Sequence, residues 1–400
     1  MTETAEEKIS NDRKPALRVG NLGEPIRLKD VNIAGFSAEA VEGGKPGEAE
    51  RTVSVWTRHS LTSDDPAFFP IVEGLATFIQ SAAIAVEQPV EMSRHHSVLL
   101  VIKPDKTAEL WADTAATSLS MLARRSIAAG AVVFEHDIVD VVAMSFPLVS
   151  IEPGDQVIYV FREGWRFGLH FDLGGVRDVS HFHRELGSLF RRLRYRHLYD
   201  QMANPALFER MTNSGWFPFA EIVGSEVRAL LVACENGFDL AQEEQKLLAK
   251  FDEARIGRIL ERWLERPPFK AKEKLLRSAM DAFNRGDSVA VIKTLVTEIE
   301  GILCDAHAAA TGTRGKLGAA LDFAAGRVAE KSGSTDTLMF PEAFGRYLKA
   351  STFADFDPVS GSGLTSSRHA VGHGAAPQDS YTQLRALQVI LTLDQFAFYI

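Results

Sequence analysis

Gln156-Val157-Ile158-Tyr159-Val160-Phe161, then Arg162-Glu163-Gly164, then Trp165-Arg166-Phe167-Gly168-Leu169-His170-Phe171: this stretch carries the clearest β signal in the chain. Two runs rich in β-branched and aromatic residues, split by a glycine-bearing turn, predict an antiparallel pair. Trp165 and Phe167 alternate with Arg166 and Gly168, as in a half-buried strand whose aromatics pack into a core. Beyond Ser180 the β signal stops and apolar residues recur at helical spacing almost to Ile400. The stretch therefore stands at a change of class. The predicted fold is an α+β N-terminal domain followed by an all-α C-terminal domain.

Towards the N-terminus, β-rich residues 97–102 and 108–112 flank the turn chemistry of Lys103-Pro104-Asp105-Lys106, a second hairpin. Residues 69–86 read as a buried helix after Pro66 and Pro70. Residues 118–127 read as a helix, 132–134 as a strand, and 138–144 fit either. Residues 1–50 are polar and aperiodic and read mostly as a flexible arm. Towards the C-terminus, a helix with the apolar face Leu186, Leu189, Phe190 and Leu193 runs over about 180–202. Further helices fit 242–265, 272–284, 288–309, 316–331, 342–349 and 380–399. Pro267-Pro268 marks a break. The division read from these signals is an arm over 1–50, an α+β domain over 51–178, a helical connecting region over 179–266 and a helical bundle over 267–400.

A chain of 400 residues exceeds the usual single core, in keeping with two domains. Its net charge of −9 excludes a bulk polyanion binder, so any nucleic-acid contact needs a local basic patch. The densest basic run is Arg191, Arg192, Arg194 and Arg196, which with Tyr195 and Tyr199 could track phosphates. Such a run also serves as the wet face of an amphipathic helix. Cys234 and Cys304 make neither a disulfide framework nor a zinc pattern and fit a reducing compartment. Residues 1–7 lack the apolar core of a signal peptide, and 386–400 is too short and too polar to span a bilayer. A cytoplasmic location with no membrane contact is expected. There is no Walker loop, dinucleotide fingerprint or nucleophile elbow, and no cofactor is expected.

The chemistry concentrates in Ser367-Arg368-His369-Ala370-Val371-Gly372-His373. Arginine is permanently charged and its planar fork matches phosphate oxygens. Histidine exchanges a proton near neutrality. Together they suffice for attack of an RNA 2′-hydroxyl on the adjacent phosphate without metal. On an unbroken helix residues five apart point about 140° apart. Gly372 and Gly374 are expected to interrupt the helix, with Pro377 following, leaving Arg368 and His373 on an irregular or terminal turn where both could face a cleft. The final helix then restarts at Ser380-Tyr381-Thr382-Gln383, a capping-box pattern. Glu300, beside Gly301 in an apolar helix, is placed to orient Arg368 or His373, or else is an ordinary solvated glutamate. Two plainer readings compete: the motif ties down a loop, or His369 and His373, spaced i and i+4, share a metal with Asp379 or Glu300.

Arg368-His369-x3-His373 before the last helix of a helical bundle resembles the HEPN superfamily. The resemblance extends through Gly215-Trp216-Phe217, Arg277-Ser278-Ala279-Met280 and Ile299-Glu300-Gly301-Ile302 and covers roughly residues 210–400. It implies a metal-independent endoribonuclease of abortive-infection or toxin–antitoxin type, acting in bacterial anti-phage defence, with motifs from two protomers meeting across a dimer. Arg368, His369, His373 and Glu300 are the candidate catalytic residues. The superfamily also contains members that only bind nucleotides or partners, so a non-catalytic regulatory module is the alternative. The N-terminal domain would then sense a trigger or hold a neutralising partner. The last helix is apolar on several sides, which predicts a homodimer built on the C-terminal bundle.

Overall fold

In the computed structural model the described residues are 23–33, 40–42, 54–357, 360 and 362–400, so most of the expected arm lies outside them. The hairpin expected at 156–171 forms, as β9 (Gln156–Glu163) and β10 (Arg166–Asp172), with Arg166 opposite Glu163 and Gly164 at φ 61° in the turn. It lies inside a six-stranded antiparallel sheet. The other members are β1 (Ile26–Leu28), β4 (Arg58–Thr62), β5 (Ser97–Ile102) and β6 (Ala108–Ala112), in the order β1-β6-β5-β9-β10-β4. Residues 26–28, read as part of the arm, are therefore an edge strand. β2 (Ala40–Glu42) and β3 (Ser54–Val55) form a separate pair.

Alternation along β5 and β9 distributes two cores. Val98, Leu100, Ile158 and Val160 face α1 (Phe68–Ile84). Leu99, Val101, Val157, Tyr159 and Phe161 face α2 (Val179–Arg194), which covers them with Phe182, Leu186, Leu189 and Leu193. Both faces are covered, which is why these strands read as continuous apolar runs. Trp165 departs from the expectation of core packing: it sits at the hairpin tip, 91% exposed, with the Arg162 guanidinium 5.5 Å from its ring.

Residues 118–127 form no helix. β7 (Ser118–Ala123) pairs with β8 (Ile138–Ser145), while 132–134, expected as a strand, is an exposed loop. Register shifts at Ser120/Met121 and Leu122/Ala123 break the two-residue period of β7. Leu119 and Leu122 thereby reach the same core from three residues apart, a spacing that mimics a helix. β8 lies against the back of α2, where Gly187 admits it: a Cβ there would stand 2.7 Å from Ala143 Cα. Val139 and Val141 of β8 enter the helical core and Met144 enters the sheet core, so one strand joins both halves.

The helical part comprises α3 (Arg196–Ala203), α4 (Pro205–Asn213), α5 (Ser225–Glu235), α6 (Ala241–Leu248), α7 (Glu253–Leu264), α8 (Pro267–Lys270), α9 (Glu273–Asn284), α10 (Ser288–Thr311), α11 (Leu317–Ser332), α12 (Pro341–Ala350), α13 (Arg368–Gly372) and α14 (Gln383–Tyr399). A short pair, β11 (Phe356–Asp357) and β12 (Ser362–Gly363), precedes α13. The helix expected over 180–202 is broken at Tyr195, and that over 242–265 is interrupted before Asp252, whose side chain caps α7. α10 packs against α9, α11 and α14. One core runs from Tyr195 to Tyr399, so α5 to α7 share it with the helices after residue 266 instead of forming a separate connector. Every residue of α14 from Arg385 to Tyr399 is buried within the single chain. The chain thus covers by itself the faces for which a symmetric partner was expected. Among the described residues no helix is long and apolar enough to cross a membrane.

Candidate functional site

The site begins at a short helix. Ser367, itself buried, caps α13 by accepting from Ala370 N–H, and Arg368 N–H donates to the Thr352 carbonyl at 2.8 Å. These bonds fix the start of α13 against the end of the α12 region, while its buried Ala370 and Val371 face inward. α13 packs on α10, and that packing brings the Arg368 guanidinium to Glu300 of α10. Arg368 Nη2 lies 2.5 Å from Glu300 Oε2, and both side chains are 30% exposed. The orienting contact expected of Glu300 is thus made to Arg368. Arg368 Nε is buried without a partner among the described residues.

The helix ends where the two glycines were expected to interrupt it, with Gly374 at φ 71°. Gly372 is the last residue of α13, and His373 follows with φ −84° and ψ −1°, its N–H bonded to the His369 carbonyl at 3.0 Å. Helical geometry therefore persists through the motif, and Arg368 and His373 diverge by about 140° within one chain. Nothing lies within 4 Å of a Cβ placed on Gly372, so a larger residue would fit there. His373 is exposed and His369 half-buried. Asp379 lies on the separate turn that follows, and no group of three or more His, Cys, Asp or Glu able to hold a metal is found among the described residues. The last helix starts two residues later than the expected box: Thr382, not Ser380, caps α14 by accepting from Arg385 N–H.

The arginine run is dispersed. Arg191 is 0% exposed: its Nη atoms donate to the carbonyls of Val141 and Asp336, and Nε lies 3.7 Å from the buried Asp140 carboxylate. That is a correction to its expected phosphate contact, because a side chain sealed between β8 and the segment before α12 cannot meet a polymer. Arg192 pairs with Asp336 at 3.3 Å, and Arg194 with Glu163 at 3.0 Å and Glu135 at 3.6 Å. Arg196, on α3 beyond the break, pairs with Asp64 and with Asp200. These three stay partly exposed, but each is already opposed by a carboxylate.

Two clefts lie elsewhere. One of about 1050 Å³ runs between the loop after β7 and α7. Its floor is a buried charge network that composition could not show. Glu221 accepts from Arg255 at 2.9 Å and Arg262 at 2.8 Å, and Asp394 accepts from Arg262 and from Trp263 Nε1 at 2.8 Å. Burial pushes the Asp394 carboxyl up despite Arg262 beside it, whereas the surrounding arginines hold Glu221 down against its own burial. These pairs satisfy one another and fasten α7 to α14. A second cleft, of about 770 Å³, lies between β4 and the α2–α3 corner. Neither reaches Arg368. A shallow surface is no objection there, because a polymer backbone is gripped along a surface and needs no enclosure.

No family model, curated protein or solved structure matches this chain.

Proposed function

We propose that the C-terminal helical part cleaves RNA without metal, through Arg368 positioned by Glu300 and through the histidines of α13. The observation that carries this reading is the Arg368–Glu300 ion pair at a half-open surface. A carboxylate that holds one edge of the guanidinium leaves Nη1 free to meet a phosphate oxygen. Charge developing on the phosphate in the transition state is then met by an arginine already in place. His373, at the exposed C-terminal end of α13, is the proton carrier, with His369 beside it. Because Arg368 and His373 diverge within one chain, a single phosphate would take Arg368 from one copy and His373 from another. This is the composite arrangement that the resemblance to HEPN ribonucleases implies. Anti-phage defence in the bacterial cytoplasm, with the sheet half sensing a trigger or a neutralising partner, belongs to the same proposal.

Arg368→Ala and His373→Ala should each lower cleavage of a labelled RNA at least about 100-fold, with an unchanged circular dichroism spectrum. Cleavage should persist in EDTA and leave a cyclic phosphate on the 5′ fragment. Folded variants that cut at the wild-type rate would return the motif to a loop-fastening or partner-binding role.

A further inference from the structure

In the cleft between the loop after β7 and α7, the cations are unevenly matched. Arg124 Nη1 and Arg255 Nη2 both donate to the Glu221 carbonyl, at 2.6 and 2.9 Å, so two guanidiniums meet at one oxygen. Arg255 is also held by the carboxylates of Glu221 and Glu226. Arg124 has only a second carbonyl, that of Val223 at 3.3 Å, and no carboxylate within ion-pair distance among the described residues. Its Nε is buried with no partner among them. Burial pushes the Arg124 guanidinium below the usual arginine value; Glu221 opposes that, and Arg262 and Arg255 add to it. A desolvated cation without a counter-charge is costly to keep, and an anion beside it removes that cost.

Two further groups in the same cleft are idle. α5 begins there: Gly224, at φ 116°, Ser225 and Glu226 all line it. No side chain caps this helix, and the N–H groups of Ser225 and Glu226 make no hydrogen bond among the described residues. Free N–H groups at a helix start attract an anion. The Glu226 carboxylate does not serve, because Arg255 holds it at 2.9 Å. Arg258, three residues along α7 from Arg255, lines the cleft, is exposed and makes no ion pair or hydrogen bond among the described residues. Gly257 beside it leaves the wall open, with nothing within 4 Å of a Cβ placed there. Other acids of the cleft are already engaged: Arg125 holds Asp137 at 2.7 Å, Asp252 caps α7, and Arg277 pairs with Glu261 at 3.2 Å.

We infer that this cleft binds a small organic phosphate, with its phosphoryl group seated between the start of α5, Arg124 and Arg258. Guanidinium forks and free backbone N–H groups are the donors that phosphate oxygens accept from. A phosphate monoester carries nearly two negative charges at neutral pH, enough to answer both unmatched arginines. A cavity of about 1050 Å³ has room for a nucleotide-sized ligand beyond the phosphoryl group. The site stands apart from Arg368 and does not depend on the ribonuclease reading.

Titration calorimetry of the full chain with inorganic phosphate, glucose 6-phosphate and AMP, at constant ionic strength, tests the site. At least one organic phosphate should bind more tightly than inorganic phosphate, and the order of the two shows whether a sugar or a nucleoside is preferred. Arg258→Gln and Ser225→Pro should each weaken the tighter probe about five- to tenfold. Proline is tolerated at the first position of a helix, so the second change deletes an N–H and keeps α5. Arg258→Lys should recover part of the loss. Arg327→Gln, the same charge change on an exposed arginine of α11, should leave affinity as it was. Arg124→Gln should abolish binding, and if that variant does not fold, the changes at 258 and 225 still decide the matter. The inference is overturned if no probe binds at about 10 mM, or if inorganic phosphate binds as tightly as both organic phosphates. Equal losses in Arg327→Gln and Arg258→Gln, or none in Arg258→Gln and Ser225→Pro, overturn it as well.

Discussion

Arg191 and His170 show how burial decides what a charged or titratable residue does. Arg191 reads as one member of a basic run, yet its guanidinium is spent on two carbonyls and the buried Asp140, whose carboxylate also takes Thr337 Oγ1 at 2.8 Å and Leu338 N–H at 3.1 Å. Such a group fastens β8 to the chain before α12 and has nothing left for a ligand. His170 lies 0% exposed between the sheet and α2, sharing a 2.9 Å hydrogen bond with Ser60 Oγ, while its Nε2 has no partner among the described residues. Burial, with Arg58, His59 and His181 nearby, pushes its imidazole down to about 3. The unfolded chain binds that proton near the ordinary value of about 6.5. A depressed pKa places the stabilising contribution above the unfolded value, and it is lost as pH falls from about 6.5 towards about 3. The full loss is on the order of 5 kcal/mol. Urea unfolding across that range should show the decline, and His170→Gln should flatten it. A slope unchanged in His170→Gln would assign the acid sensitivity to other groups, such as His183 and His197, which burial also holds down.

Among the elements, β8 and α13 have the largest consequences. β8 supplies fully buried residues to both the sheet core and the helical core, and it approaches α2 because residue 187 has no side chain. Gly187→Ala would press a methyl into the backbone of Ala143 and should destabilise the chain by about 1–3 kcal/mol. Gly257→Ala, on α7 with nothing within 4 Å of its Cβ position, is the control and should be neutral or slightly stabilising. Equal urea midpoints for the two variants would show that the hairpin yields at no cost. α13 teaches a different lesson. A glycine near the end of a short helical segment lowers propensity by only about 1 kcal/mol, less than the Ser367 cap and the packing of Ala370 and Val371 provide. The turn stays helical, and the two motif residues are set apart for that reason.

For the whole molecule, the question is what remains to be covered. α14 is apolar on several sides, but α10, α11 and the helices before residue 266 bury it from Arg385 to Tyr399. A dimer is therefore not needed to satisfy this helix. The case for one rests on the divergence of Arg368 and His373 within a chain. If the site is composite, mixing Arg368→Ala chains with His373→Ala chains should restore part of the RNA cleavage that neither shows alone. Light scattering of the active sample should give twice the chain mass of 44.0 kDa. No recovery in the mixture, or an active species at monomer mass, would place both groups in one chain. With a net charge of −9, any RNA that the proposed site takes would have to be drawn in by local cations. Arg192, Arg194 and Arg196 are each opposed by a carboxylate. Arg368 of α13 is opposed by Glu300 in the same way, but its pair lies at the proposed site itself.

What the sequence determined by itself was local. Alternation over 156–171 specified a hairpin and its two faces, three- and four-residue spacing located most of the helices, and residue chemistry picked out Arg368, Glu300 and His373. Side-chain period and residue type are properties of a short window and survive in any tertiary context. Tertiary structure decided everything that joins distant windows. It made β7 a strand by pairing it with β8, buried Arg191, and closed α14 inside one chain. It also brought Arg368 to Glu300 and set His307 close beneath the loop at Gly315. Each of these depends on the desolvation and pairing of groups far apart in the chain. That free energy exists only once the elements have packed, so no window of sequence contains it.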